Sequence, residues 1–258
     1  SIQNYYYSRS ITVAQKLSET VVARLESYSY ELAGFTVTET TKRTYPQYET
    51  ASHIVGYIGR ITAETADKYK ELGYDTGDLV GVYGIEQKFE SYLTGNGKDR
   101  SGQRVVETTA SGTILRELSY TAPGQGDNVY LTIDINMQKI AEAALAENIE
   151  AIHAAQTERY NDKKEKYQKI EEEIGRSIKM AETGSVVVMQ VNTGAVLAMA
   201  SYPWYDPNSF VSGISSADME QMLGDKRGIL VNKAISSAST PGSIFKMVVG
   251  AAGLSEGV

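Results

Sequence analysis

Residues 184–201 read GSVVVMQVNTGAVLAMAS. Two runs rich in Val, Ala and Met flank Asn192-Thr193-Gly194, a turn triplet that ends in glycine, and the pattern predicts a β-hairpin. Upstream, Asp134 stands where it can cap a helix, and Met137, Ile140, Ala141, Ala144, Leu145 and Ile149 follow at helical spacing. The run VYLTI (129–133) before that cap reads as a strand. Between helix and hairpin lies a segment dense in Lys and Glu, at about 150–180. Its Tyr160, Tyr167 and Ile174 recur every seven residues, with Ile170 and Ile178 between turns. A solvated helix or helical hairpin with one apolar stripe accounts for that pattern; a partner-binding helix is the alternative. Strand, helix, hairpin, then a further helix is an α+β order, with helices packed on an antiparallel sheet.

Downstream of the hairpin, the loop YPWYDPNSF (202–210) and a mixed stretch lead to STPGSIFKMVVGAAGL (239–254). Pro241-Gly242 interrupts the preceding chain and makes Ser243 a helix N-terminus. Lys246 follows three residues on, so the two side chains share a face. A serine hydroxyl becomes a nucleophile when a base takes its proton. A lysine serves if burial or a nearby cation lowers its pKa. Backbone N–H groups at the helix start would then stabilise the oxyanion. An N-capping serine beside a surface lysine explains the same residues, and the local pattern does not separate the two readings.

The first half has another texture. Residues 1–127 mix short β-type runs, FTVTET (35–40) and HIVGYIG (53–59), with many Gly and Tyr. In VAQKLSETVVARLESY (13–28), Val13, Leu17, Val21, Val22 and Leu25 predict a helix. The turn-rich stretch ELSYTAPGQGDNVYLTID (117–134), with Pro123, Gly124 and Gly126, marks the expected boundary between two domains, 1–127 and 128–258.

Composition narrows the chemistry. The net charge of −7 argues against a nucleic-acid surface, which needs a basic face. Cysteine is absent, which removes disulfides, thiolate catalysis and the usual zinc sites. His53 and His153 are the only histidines, so proton transfers would fall to Lys, Tyr, Asp or Glu. No window approaches the eighteen or so apolar residues of a membrane span. The opening SIQNYYYSRSITVAQ (1–15) has no signal-segment character.

Six segments in order carry a family resemblance. PGSIFK (241–246) resembles the nucleophile motif of penicillin-binding proteins, the D,D-transpeptidases of peptidoglycan synthesis. RTYPQYETASHIVGYIG (43–59) resembles the pedestal of the monofunctional, class B members, with Arg43, Tyr45-Pro46, His53 and Gly56-Tyr57. GVYGIEQKFESYLTGNGKDR (81–100) is similar to another pedestal stretch through Gly84, Glu86, Leu93 and Gly95. LTIDINMQKIAEAAL (131–145), the hairpin with its YPWYDPNSF loop, and NKAISSASTPGSIFK (232–246) are similar to successive parts of the transpeptidase domain.

The resemblance implies that Ser243 is the acylated nucleophile and Lys246 its proton acceptor. It implies a pedestal over 1–127, incomplete at its start, then the first part of a transpeptidase domain over 128–258 with a charged helical insertion at about 150–180. The implied ligands are a stem peptide ending in D-Ala-D-Ala and β-lactams, with no metal or organic cofactor. A membrane glycan polymerase would bind through the pedestal. The implied location is the bacterial membrane, through a single-pass anchor in the parent protein, with the domains outside the cytoplasm. The family's Ser-x-Asn and Lys-Thr/Ser-Gly patterns are expected downstream of Val258, so the chain reads as an interior piece. Thr240, Ile244 and Gln190 depart from the residues usual at their positions. Two rival roles use the same fold: a β-lactam sensor acylated at Ser243, and a scaffold in which the serine is idle.

Overall fold

The structure, a computed structural model, describes residues 13–15, 17–32, 34–37, 41–74, 77–94, 102–109, 114–238 and 241–257. In chain order the elements are α1 (Glu19–Ser27), α2 (Ser52–Val55), β1 (Ile58–Arg60), α3 (Ala66–Glu71), β2 (Leu79–Gly81), α4 (Gly84–Lys88) and α5 (Glu90–Leu93). There follow β3 (Gln103–Thr108), β4 (Ile114–Thr121), α6 (Ile135–Asp162), α7 (Lys164–Ile174), β5 (Gly184–Met189) and β6 (Val196–Tyr202). The last are α8 (Asn208–Val211), α9 (Ser216–Gly224), α10 (Lys233–Ser236) and α11 (Phe245–Glu256), the last preceded by a 3-10 turn at Gly242–Ile244. Among the described residues the strands pair as β1–β2, β3–β4 and β5–β6. The class is α+β, as expected.

Two compact units divide the chain, and each draws on more than one stretch. The first comprises Ser1–Thr44, Gly59–Val80 and Phe89–Val129; the second comprises Tyr45–Ile58, Gly81–Lys88 and Tyr130–Val258. Segments 45–58 and 81–88, which carry His53, Gly56, Gly84 and Glu86, thus belong to the second unit.

The second unit is built on the hairpin. β5 and β6 are antiparallel, with Gly184 opposite Tyr202 and Val188 opposite Ala198. Ala198 and Ala200 present almost no side chain, and α6 lies against them through buried Ala141, Leu145 and Ile149. Fully burying the Leu and Ile stabilises the pair by about 2 kcal/mol each. Gly184 leaves room for this approach: a Cβ there would sit 3.0 Å from Ile149 Cδ1 and 3.2 Å from Leu145 Cδ1, so those side chains would have to give by a few tenths of an ångström.

Asp134 caps α6 as expected, its carboxylate accepting from the Asn136 and Met137 amides at 2.9 Å. The buried stripe differs from the expected one. Ile140 is exposed and so is Ala144, whereas Gln138 and Glu142 are buried. Gln138 explains the difference. Its side-chain amide accepts from the Met199 amide at 2.8 Å and donates to the Met199 carbonyl at 3.0 Å. A helix residue thereby serves as the hydrogen-bonding neighbour that the β6 edge lacks, and this fixes the rotation of α6.

Three more expectations change. Residues 129–133 form no strand, because among the described residues the run and the aspartate after it meet β6 through two hydrogen bonds and no ladder. These are Thr132 Oγ1 to the Val196 carbonyl at 2.6 Å and the Asp134 amide to the Leu197 carbonyl at 2.9 Å. The helix expected from Val13 begins at Glu19, with Ser18 extended before it, and none of its residues is buried. Within HIVGYIG, His53–Val55 is helical and only Ile58 and Gly59 are strand. Of FTVTET, Phe35–Val37 has no strand, and 38–40 lie outside the described residues.

The charged segment forms a helical hairpin. α6 runs on to Asp162, and α7 folds back so that the Tyr160 and Tyr167 rings stack at 5.5 Å. Tyr160 donates to Glu171 Oε2 at 2.8 Å, and the Ile178 amide donates to Glu171 Oε1 at 2.8 Å. Gly175, at φ 65°, ends α7 in the left-handed conformation that glycine adopts without strain. The returning chain docks on α6: the Ala181 amide donates to Gln156 at 2.7 Å, and its carbonyl accepts from His153 Nδ1 at 2.9 Å.

In the first unit, Tyr69, Tyr74 and Val80 form a small core with Ile61. Tyr74 donates to Glu90 at 2.9 Å, and burial pushes its phenol up to about 12. β3 and β4 pair antiparallel with irregularities at Val105/Val106 and Glu107/Thr108.

Candidate active site

Ser243 lies within the 3-10 turn Gly242–Ile244, which runs directly into α11. Gly242 takes φ 55°, a conformation that costs little only for glycine. Pro241 and Ile244 occupy the two N-cap positions, and neither cap uses a side chain. Ser243 is therefore inside the turn, and its hydroxyl is not used as a helix cap. One turn separates it from Lys246 on the same face, and both residues are exposed. Among the described residues no hydrogen bond joins them to each other or to another side chain. Thr240, one of the departures, lies outside the described residues, as does Gly95.

The ground upstream of the serine is well anchored. Asn232, 2% exposed, precedes α10. Its Oδ1 accepts from the Ala234 amide at 3.1 Å, which caps α10, and from Ser201 Oγ at 3.3 Å. Its Nδ2 donates to the His53 carbonyl at 3.3 Å and lies 3.7 Å from Met199 Sδ. The Asn232 amide donates to the Tyr83 hydroxyl at 3.2 Å, and the Lys233 amide donates to Ser201 Oγ at 3.0 Å. Sequence reasoning missed this node; the signal available was an Asn immediately before a short helical run.

Residues 225–231 are held around it. Arg227 clasps Asp225, Nη2 to Oδ2 at 2.7 Å, and that hydrogen bonding lowers the carboxyl to about 2. Lys233 Nζ donates to the Gly228 carbonyl at 2.8 Å. His53 Nε2 lies 2.7 Å from the Ile229 carbonyl, so this nitrogen carries the donating hydrogen. Burial lowers His53 to about 4, and the Lys233 charge adds to that against the opposing hydrogen bond. The neutral imidazole is 5.1 Å edge-on from the Tyr205 ring. Tyr205 in turn donates to the Ser52 carbonyl at 3.0 Å and packs with Tyr57 and Phe210.

Segments 45–58 and 81–88 meet through glycines. At Gly56, φ 80°, a Cβ would lie 1.8 Å from the Tyr83 carbonyl oxygen; at Gly84, φ 62°, it would lie 2.5 Å from the Ile54 carbonyl oxygen. Glu142 joins α6 to the same region: its Oε1 accepts from the Ala51 amide at 2.8 Å and from Gln138 Nε2 at 2.7 Å. Ala51 is itself in the left-handed region at φ 59°. Burial raises the Glu142 carboxyl, and the bonds from Gln138, Ala51 and Thr50 work against that rise.

A depression of about 450 Å³ lies beside Asp225 and Arg227, lined also by Ser215, Asp218 and Ile229. Neither Ser243 nor Lys246 borders it. Among the described residues no group of three or more His, Cys, Asp or Glu could hold a metal ion. Among them, too, no helix is long and apolar enough to cross a membrane.

Residues 2–131 match the penicillin-binding protein dimerisation domain, and residues 184–258 match the penicillin-binding protein transpeptidase domain. The peptidoglycan D,D-transpeptidase MrdA of Escherichia coli K12 is 31% identical over 253 residues, 96% of this chain and 34% of that protein. Penicillin-binding protein 3 of Bacillus subtilis is 28% identical over 91% of this chain and 29% of its own length. Among solved structures, Pseudomonas aeruginosa PBP2 in complex with WCK 5153 superposes with a TM-score of 0.56. It is 29% identical over 85% of this chain and 36% of that one. Helicobacter pylori PBP2, solved in complex with MreC, superposes at 0.61 over 97% of this chain and 41% of that one, and at 22% identity it shows the shared fold. The chain spans about a third of the length of the curated relatives it matches. Two domain matches in the expected order and a relative aligned along nearly the whole chain lead to one conclusion: this chain belongs to the penicillin-binding protein family.

Proposed function

We propose that the protein containing this chain is a serine-type peptidoglycan D,D-transpeptidase, with Ser243 as nucleophile and Lys246 as its base. One observation carries the reading. The transpeptidase match runs through a turn whose single serine is not spent on capping and shares a helix face with a lysine. In the reaction, Lys246 Nζ takes the Ser243 proton as Oγ bonds to the penultimate D-Ala carbonyl carbon. The C–N bond to the terminal D-Ala breaks and that residue leaves with a proton. An amine from a neighbouring strand then attacks the acyl-serine, displaces Oγ and forms the crosslink. A β-lactam acylates the same oxygen by ring opening, which makes the protein an antibiotic target. The chemistry requires no metal or organic cofactor.

In this reading 1–127 is the pedestal domain and 128–258 the first part of the transpeptidase domain, into which the α6–α7 hairpin is inserted at about 150–180. Neither domain match extends over 150–180, which supports treating that segment as an addition. The pedestal would bind a membrane glycan polymerase. A related solved structure, 30% identical with a TM-score of 0.65, is described as coordinating polymerization and crosslinking in a peptidoglycan synthase complex. The protein would be held at the bacterial membrane by a single anchor with its domains outside the cytoplasm. The Ser-x-Asn and Lys-Thr/Ser-Gly groups would complete the site.

The test is acylation of the full-length protein by a fluorescent penicillin, with the adduct located by mass spectrometry. The adduct belongs on Ser243, and Lys246→Arg should abolish it, because a guanidinium stays protonated and accepts no proton. An adduct on another residue, or near-normal acylation of Lys246→Arg, would overturn the assignment.

A further inference from the structure

The helical hairpin of the second unit reaches well past the core that supports it. The last buried residue of α6 is Ile149, and the helix runs on to Asp162. At 1.5 Å per residue its far end stands about 20 Å beyond that contact. No residue of α7 is buried. The hairpin instead closes on itself. Tyr160 stacks on Tyr167, and Glu171 accepts from the Tyr160 hydroxyl and the Ile178 amide. His153 and Gln156 hold the returning chain at Ala181. Neither domain match extends over 150–180, so the hairpin is an addition that supports itself.

Charge is sorted along it. Over 159–169 the tip carries Arg159, Lys163, Lys164, Lys166 and Lys169, answered by Asp162 and Glu165 alone. The acidic run Glu171–Glu173 comes later, on the way back to the core. All five cations are exposed, and none makes an ion pair among the described residues. Lysine and arginine are almost never buried without a partner, so such a tip is not a surface for apolar packing. Lys163, Lys164 and Lys166 also sit at the start of α7, the positive end of its dipole, where cations cost stability. The fold gains nothing from that placement, which points to a use outside the fold.

The chain as a whole carries −7. The polymer proposed as its substrate is anionic too, since each stem peptide ending in D-Ala-D-Ala presents a terminal carboxylate. Like charges repel on approach, and the hairpin tip is a local exception. We propose that the tip of the α6–α7 hairpin is an accessory docking site for peptidoglycan, its lysines and Arg159 meeting the carboxylates of stem peptides on an assembled strand. This rests on the D,D-transpeptidase reading, which supplies the polymer. Each contact is weak and screened by salt, but the carboxylate recurs along the strand, so several hold at once. The tip retains the polymer and takes no part in acyl transfer.

The experiment is co-sedimentation of the full-length protein, its nucleophile first blocked with penicillin, with insoluble peptidoglycan stripped of accessory phosphate polymers. Wild type should pellet at about 0.05 M salt and be released at about 0.5 M. The triple variant Lys163→Glu, Lys164→Glu, Lys166→Glu should bind at least roughly tenfold more weakly. Its acylation by fluorescent penicillin should stay at the wild-type rate. Acidic side chains suit the start of a helix, so the hairpin should persist, and helical circular dichroism checks this. If that signal falls, the triple Lys→Gln variant at the same positions decides by the same criteria. Amidating the carboxylates of the peptidoglycan should abolish wild-type binding. Equal pelleting of wild type and variant, indifference to amidation, or binding of the tip to phosphatidylglycerol vesicles and not to peptidoglycan would overturn the proposal. Failure of the underlying reading looks different, since the penicillin adduct itself would then lie away from Ser243.

Discussion

Acid should loosen the second unit through His53, and the effect can be isolated. The imidazole is 4% exposed, and burial lowers its pKa from 6.5 to about 4. Its Nε2 hydrogen is used on the Ile229 carbonyl at 2.7 Å. In the unfolded chain the same group takes up a proton near 6.5, while the folded form resists protonation until about 4. Between those values the unfolded state binds more protons, so stability is fully present above 6.5 and is lost as pH falls toward 4. The interval of about 2.5 units at 1.36 kcal/mol per unit corresponds to about 3 kcal/mol. His53→Gln supplies the control, because a glutamine amide can donate to the same carbonyl and does not titrate. The assay is urea unfolding followed by fluorescence of Trp204, the sole tryptophan, which sits in the same unit. Other acids titrate in both proteins and cancel in the difference. The wild type should lose about 3 kcal/mol more than His53→Gln between pH 7 and 4. Parallel curves, within about 0.5 kcal/mol, would mean that His53 is already protonated in the fold or exposed to water, and the burial argument would fail.

Gly56→Ala should destabilise by roughly 3 kcal/mol or more, since the φ is positive and the new methyl would collide with the Tyr83 carbonyl, which cannot move aside; a Tm within a degree of wild type would contradict the close approach. Glu142→Gln keeps an acceptor for the Ala51 amide and removes a charge that burial penalises. The folded carboxyl is raised, so the protonated form is favoured and its stabilising contribution is lost as pH climbs through the folded pKa. The variant should therefore gain on wild type with rising pH, and a gap that narrows instead would refute the sign. Replacing residues ~152–179 with a short Gly-Ser linker should lower Tm by only a few degrees, because α6 makes its core contacts at Ala141, Leu145 and Ile149. Loss of cooperative unfolding would show that the hairpin is part of the core.

Local pattern determined much of this protein. The turn triplet at 192–194 and its flanking runs specify the β5–β6 hairpin, because alternation and turn chemistry are properties of neighbouring residues. Asp134 announces the start of α6 for the same reason: a cap bonds to amides two and three residues away. The order of the six segments was enough to place the family, and Pro241-Gly242 ahead of Ser243 and Lys246 marked the candidate chemistry.

What required the tertiary structure is whatever depends on partners far along the chain. Which residues of α6 face inward was decided by Gln138 pairing with the edge of β6, across 61 positions of sequence, so Ile140 turned to solvent although its spacing fitted the stripe. The run 129–133 has β propensity, but a strand exists only where a neighbour completes its ladder, and β6 offers it little. His53, Gly56 and Gly84 could be noticed in the sequence only as letters of a pattern. Their roles, a buried neutral donor and two points where backbones touch, follow from folding segments 45–58 and 81–88 into the unit that carries the serine. Asn232 gives the sharpest case: Tyr83, His53 and Ser201 converge on one residue from distant parts of the chain, and long-range convergence leaves no periodicity to read.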